Sequence, residues 1–162
     1  VLLMQEATKE MEDLPSLIGG HLHRLSWLGR IHGLAVWSPH RFAAPRALSL
    51  PASRLPGRLP RRRAQIVQVG EMTFANVHLS HGQLLNRRQL ARIAAALRGK
   101  PSAIIGDYNV VGPVILPGFH DVGPRELRGV ERLSRGAHAC ARSTRPTRSS
   151  TLCPIAEALS AP

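Results

Sequence analysis

The stretch "QLLNRRQLARIAAALRGKPSAIIGDYN", residues 83–109, sets the architecture. Leu90, Ile93, Ala94 and Leu97 recur at the spacing that lines one face of a helix. Gly99 follows the last of them, with Arg98 and Lys100 near the negative end of the dipole, so the helix stops there. Pro101 then opens an apolar run of strand length that ends in Gly106, Asp107, Tyr108 and Asn109. Upstream, "AQIVQVGEMTFANVHLS" (64–80) has two β-rich halves around Gly70-Glu71 and predicts a hairpin. In its second half Phe74, Asn76 and His78 alternate onto one face and Ala75, Val77 and Leu79 onto the other. Strand, helix, strand at this spacing predicts a layered α/β domain.

The opening "VLLMQ" is continuously apolar and predicts a strand covered on both faces, as though the chain begins inside a fold. "ATKEMEDLPSLI" (7–18) predicts a short helix, and "GLAVWSP" (33–39) a second short strand. Residues 40–63 carry Pro45, Pro51, Pro56 and Pro60, together with Arg54, Arg58 and the run Arg61 to Arg63, and read as loop or edge. His21 and His23 read as a solvated loop, since no third ligand is spaced to make them a zinc site. His78 and His81 are equally poor as a zinc pair, because residues three apart on a strand face opposite ways. Trp27 and Trp37 are expected in the core. After Pro124 the periodicity stops. Residues 1–124 are therefore read as the folded core and 125–162 as a basic segment that ends in a strand at "SSTLCPIAEAL" (149–159).

A chain of 162 residues with 43% hydrophobic content suits one globular domain. Its 22 Lys plus Arg against 10 Asp plus Glu give a formal net charge of +12, and Lys9 and Lys100 are its only lysines. Arginine binds phosphate bidentately and stays charged, so an anionic partner is expected; a coding bias toward Arg, Ala, Gly and Pro yields the same composition. Cys140 and Cys153 form no CxxC motif, which fits reduced thiols and a cytoplasmic location. No apolar run has the ~20 residues of a membrane span, and the first residues lack the basic flank of a signal peptide. Neither a P-loop nor a dinucleotide fingerprint occurs. With only 4% aromatic residues, a base-stacking platform is not expected.

Polar groups recur where apolar runs end: Glu6 after the first, His78 near the close of the hairpin, and Asp107 and Asn109 after the last. Singly each has an ordinary explanation as a cap, a packed histidine or turn residues. Together they suit metal-assisted phosphoester hydrolysis. A carboxylate holds a hard cation such as Mg²⁺, while imidazole and amide donate to phosphate oxygens.

In this order and context, "LLMQEAT" (2–8), "ANVHLSHG" (75–82) and "AIIGDYNVVG" (103–112) resemble the endonuclease/exonuclease/phosphatase superfamily. Its members carry a Gln-Glu after a strand, a His-Leu strand, a Gly-Asp-x-Asn and a late Ser-Asp-His. The resemblance implies a partial four-layer α/β sandwich, with two mainly antiparallel sheets flanked by helices. It also implies hydrolysis of phosphodiesters with Mg²⁺ or Mn²⁺, and a substrate that is nucleic acid or another phosphodiester. By the same resemblance Glu6 is a metal ligand and His78 contacts the scissile phosphate. Asp107 orients or activates the attacking water on the metal side, and Asn109 holds the phosphate.

The chain departs from the pattern at its ends. The family's first strand, with an active-site Asn, has no counterpart. Aligning Pro154 and Ile155 on the late motif places Thr151 and Leu152 where Asp and His belong, and Ser134 in "ERLSRG" (131–136) stands where the family has Asp. Loss of a general acid–base costs about 10²–10⁴-fold in rate. His81, His120 and His138 are the candidate substitutes, and spacing favours none of them. A GC-rich gene read in a shifted frame yields the same tail composition. The alternative to an enzyme is thus a family member that binds nucleic acid or another polyanion without hydrolysing it; a phosphomonoesterase would need a closed pocket.

Overall fold

The computed structural model describes residues 1–27, 31–53, 61–110, 114–122 and 137–142. Among these residues nine strands form two sheets. One has three strands in the order β1 (Leu2–Ala7), β3 (Gly33–Ser38), β2 (His21–Ser26), all antiparallel. The other has six, in the order β4 (Arg46–Ser49), β5 (Arg63–Val69), β6 (Met72–His78), β7 (Ser102–Asp107), β9 (Ala137–Arg142), β8 (His120–Asp121). Among the described strands only β6 and β7 run parallel, joined by the long helix α2 (Gln83–Ala96), since parallel neighbours need a crossover. The result is the expected α/β sandwich with mainly antiparallel sheets.

The hairpin forms as read: Val69 pairs with Met72 across Gly70-Glu71, and Gly70 takes the positive φ of 58° that such a tight turn favours. Alternation along β6 then serves two layers. Ala75, Val77 and Leu79 join Ile104 under Leu90 and Ile93 of α2 and its C-cap Leu97, making the main core. The opposite face of β6 meets the three-stranded sheet, and the contact there is polar. Asn76, fully buried, shares its amide N–H groups among the carbonyls of Met4 and Ala35 and Gln65 Oε1, and its Oδ1 accepts from Gln5 Nε2 at 2.7 Å. Gln65 Nε2 in turn donates to the His23 carbonyl. This network ties the two sheets in one register. Asn76→Ala leaves several of these groups unsatisfied and is expected to lower stability by about 2–4 kcal/mol, measurable as a lower urea midpoint.

Several expectations need correction. His21 and His23 lie in β2 and not in a loop; β2 pairs residue for residue with β3, so the central strand of that sheet is β3. The first strand is an edge strand in which Leu2 is half exposed and Leu3 and Met4 are only partly buried, so its apolar run is not fully covered on both faces. The proline-bearing segment does hold an edge strand, β4, but Leu48 within it and Leu50 just after it belong to the main core. The helix expected after β1 is a 3₁₀ turn at Lys9–Asp13 followed by a single helical turn, α1 (Leu14–Ile18), because Pro15 cannot donate within a longer helix. Residues 137–142, in a region without sequence periodicity, pair along the whole of β7. Residues 54–60, Ser134, Thr151, Leu152 and the strand expected at 149–159 lie outside the described residues. No helix among the described residues is long and apolar enough to cross a membrane.

Candidate active site

The parallel pairing of β6 with β7 sets His78 beside Asp107, the last residues of their strands. Registered partners in adjacent strands share a face, and this face looks toward the three-stranded sheet. His78 Nε2 lies 3.6 Å from Asp107 Oδ2. The strands can meet so closely only because of Gly106: at φ 143°, a Cβ there would sit 1.9 Å from the Val77 carbonyl oxygen.

From the opposite sheet, Glu6 approaches the same imidazole, with Oε1 4.0 Å from His78 Nδ1. Its position is made by a bulge. The β1–β3 register shifts between Gln5 and Ala7, and Glu6 takes a positive φ of 54° that a non-glycine residue adopts at a cost of roughly 1–3 kcal/mol. The displaced carboxylate is 65% exposed, against 34% for Asp107 and 7% for His78.

Asn109 also reaches this cleft, but not by strand alternation with Asp107. The strand β7 stops at Asp107, and Asn109 has φ 51° in a turn. Asp107 Oδ1 accepts the Asn109 backbone N–H at 2.8 Å, and Asn109 Nδ2 donates to the Leu79 carbonyl at 2.9 Å. One carboxylate oxygen therefore builds the turn while the other faces His78.

Glu6, His78, Asp107 and Asn109 line one cavity of about 260 Å³ together with Trp27, His32, Arg62 and His81. From sequence Trp27, His32 and Arg62 had no place there, and His81 was one of three imidazoles between which spacing did not choose. Trp27, expected in the core, is buried and packs T-shaped on His78, with centroids 5.5 Å apart and the planes at 69°. Arg62 lies over the Trp27 ring at 4.5 Å, a cation–π geometry. Trp37 is only partly buried and donates its indole N–H to the Gly19 carbonyl. His78 and His81 share the cleft despite their spacing, because the strand ends at His78 and alternation ends with it. Of the three histidines weighed as substitutes for the missing imidazole, His81 lines the cleft, and His120 is on β8, two strands beyond β7.

Behind the site, α2 anchors both strand ends. Asn86 Nδ2 donates to the Tyr108 carbonyl at 2.7 Å, while Gln89 accepts the Ser80 N–H and donates to the Pro51 carbonyl. The signal in the sequence was two amides, Asn86 and Gln89, on the helix face that also carries Leu90, Ile93 and Leu97.

Burial holds the His78 pKa below its ordinary value of 6.5, and the charge of Arg62 adds to this; Asp107 and Glu6 oppose it without reversing it, and His81 contributes a smaller lowering. His78 is therefore neutral near pH 7. A histidine more acidic in the folded than in the unfolded chain binds fewer protons when folded. Its stabilising contribution is full above the unfolded pKa, about 6.5, and is lost as pH falls through the lower folded value. Unfolding free energy is expected to decline as the pH drops from about 6.5 toward the lower folded value, and His78→Gln to flatten that part of the profile in urea titrations across pH.

Among the described residues no group of three His, Cys, Asp or Glu side chains converges as a ready metal cage. The donor set suits a different kind of ion. Two accessible carboxylates from different sheets, Glu6 and Asp107, flank a neutral imidazole, and Mg²⁺ needs only one or two carboxylates with water and substrate oxygens.

The sequence matches no family model and no curated protein. Solved structures do resemble the fold. Danio rerio TDP2 in complex with a single-strand DNA product superposes with a TM-score of 0.59 at 16% identity, over 90% of this chain and 72% of that one. Truncated Caenorhabditis elegans TDP2 gives 0.56 at 14%, over 88% and 71%. CdtB, the biologically active subunit of cytolethal distending toxin, gives 0.58 at 16%, over 80% of this chain and 56% of its own length.

Proposed function

We propose that this chain, whose fold is that of the endonuclease/exonuclease/phosphatase superfamily, hydrolyses phosphodiester bonds with the aid of a divalent cation, and that its substrate is nucleic acid. The observation that carries this reading is the convergence of Glu6, His78, Asp107 and Asn109, from both sheets, around one cleft. The cleft's further lining of Arg62, His32 and His81 favours an anion there. A fold shared with TDP2, crystallised with a DNA product, agrees with a nucleic-acid substrate.

Glu6 and Asp107 would hold Mg²⁺ or Mn²⁺, which supplies positive charge where negative charge develops on the phosphate. The chain's own groups do the rest. Neutral His78 offers one N–H to a phosphate oxygen, a donor fixed in advance by its packing against Trp27. Arg62 adds a permanent charge at the cleft wall. The oxygen of the attacking water bonds to phosphorus as its proton passes to the Asp107 carboxylate. The bond to the leaving oxygen breaks, and that oxygen takes a proton from His81, the cleft imidazole that is exposed to solvent.

Purified protein is expected to nick supercoiled plasmid with Mg²⁺ or Mn²⁺, and EDTA to abolish the nicking. Salt-sensitive DNA binding without any nicking would replace the enzyme by a binding protein of the same fold.

A further inference from the structure

Between Glu71 and Asp107 the chain holds Arg87, Arg88, Arg92, Arg98 and Lys100 and not one acidic residue. All five are exposed, and among the described residues none of them pairs with a carboxylate. Four of the five lie on α2 or in the turn that closes it. The helix buries Asn86, Gln89, Leu90 and Ile93 against the sheet, so Arg88 and Arg92, four residues apart, crown the opposite side, and Arg87 flanks them.

The position of this face gives it meaning. α2 starts just beyond His81 at the rim of the cleft, and Asn86 in its first turn is bonded to the Tyr108 and Asn109 carbonyls. From there its 14 residues carry the arginines outward over about 21 Å. Arg88 to Arg98 spans roughly 15 Å, the rise of four or five phosphates on one strand at ~3.4 Å each.

We propose that the exposed face of α2 is a phosphate-tracking surface for a nucleic-acid strand whose scissile phosphate lies in the cleft. Only that last placement rests on the hydrolytic reading above. Guanidinium groups grip successive phosphates bidentately. A membrane surface fits less well: an interfacial helix needs a broad apolar face to insert, whereas the apolar face of α2 is buried and its outer side offers one large apolar side chain, Leu84, with Ala91 and Ala95 among the arginines.

The test is fluorescence anisotropy of a labelled oligonucleotide long enough to span cleft and helix, in EDTA over a range of KCl concentrations. R88E/R92E is compared with R41E/R46E, an equal charge change at exposed arginines outside α2. For R88E/R92E, affinity is expected to fall about 10-fold or more and the salt slope to shrink by about 2. R88Q/R92Q is expected to show the same loss of slope without charge reversal, and R41E/R46E to keep the original slope. Equal losses in R88E/R92E and R41E/R46E, or none in R88E/R92E, would overturn the proposal. So would attachment to phosphatidylserine vesicles that depends on Arg88 and Arg92 while oligonucleotide binding does not. Turnover of bis(p-nitrophenyl) phosphate, which has no strand to track, is expected unchanged in R88E/R92E. Protein that binds the strand through Arg88 and Arg92 but cleaves neither substrate would refute the hydrolytic reading and leave this one standing.

Discussion

Asp107→Asn is expected to reduce metal-dependent cleavage of plasmid DNA by about 10²–10⁴-fold with little change in thermal midpoint. The substitution separates the two tasks of this side chain. The bond from the Asn109 backbone N–H needs only an acceptor oxygen at Oδ1, which an amide supplies, so the turn that follows β7 is kept. What is lost is the negative charge facing His78 at 3.6 Å, and with it a proton acceptor for water and one of two carboxylates for the cation. The check is an initial-rate comparison alongside a thermal melt. Undiminished cleavage by the variant would remove Asp107 from the chemistry.

Gly106→Ala is expected to act on the fold itself, costing more than about 4 kcal/mol and leaving the protein insoluble or unfolded at ordinary temperature. The added methyl would stand 1.9 Å from the Val77 carbonyl oxygen and 2.9 Å from its carbon, which are backbone atoms of the neighbouring strand and cannot rotate away. Relief requires β6 and β7 to separate at the register that sets His78 against Asp107. The backbone φ of 143° adds strain for any L side chain. Since natural domains have only about 5–15 kcal/mol in hand, one methyl group is enough. Circular dichroism and solubility of the purified variant give the answer, and a folded, active Gly106→Ala would show that the two strands do not meet so closely.

The parts of the fold that show in the sequence are those where local periodicity and burial agree. The Gly70-Glu71 hairpin, α2 and β7 have apolar residues at the spacing of their element and stop signals at their ends. Strand β2 does not. Its residues His21, His23 and Arg24 gain their partners from β3, from Glu12 and from the sequence-distant Gln65, and none of these shows as a period within the strand. Strand β9 is similar, because alanines alternating with His138 and Cys140 carry no strong strand signal, and the segment pairs along the edge that β7 offers.

For the site, the sequence alone determined which side chains stand at strand ends: Glu6, His78, Asp107 and Asn109, each polar where an apolar run must stop. It also determined the excess of arginine that calls for an anionic partner. Only the tertiary structure decided that these four share a cleft, since Glu6 comes from one sheet and the rest from the other, and the Asn76 network sets how the sheets meet. It decided too that Trp27, Arg62, His32 and His81 complete the lining. Pattern along a chain reports which residues are buried and where elements end. Which ends meet is settled by packing between segments far apart in sequence, and no local period encodes that.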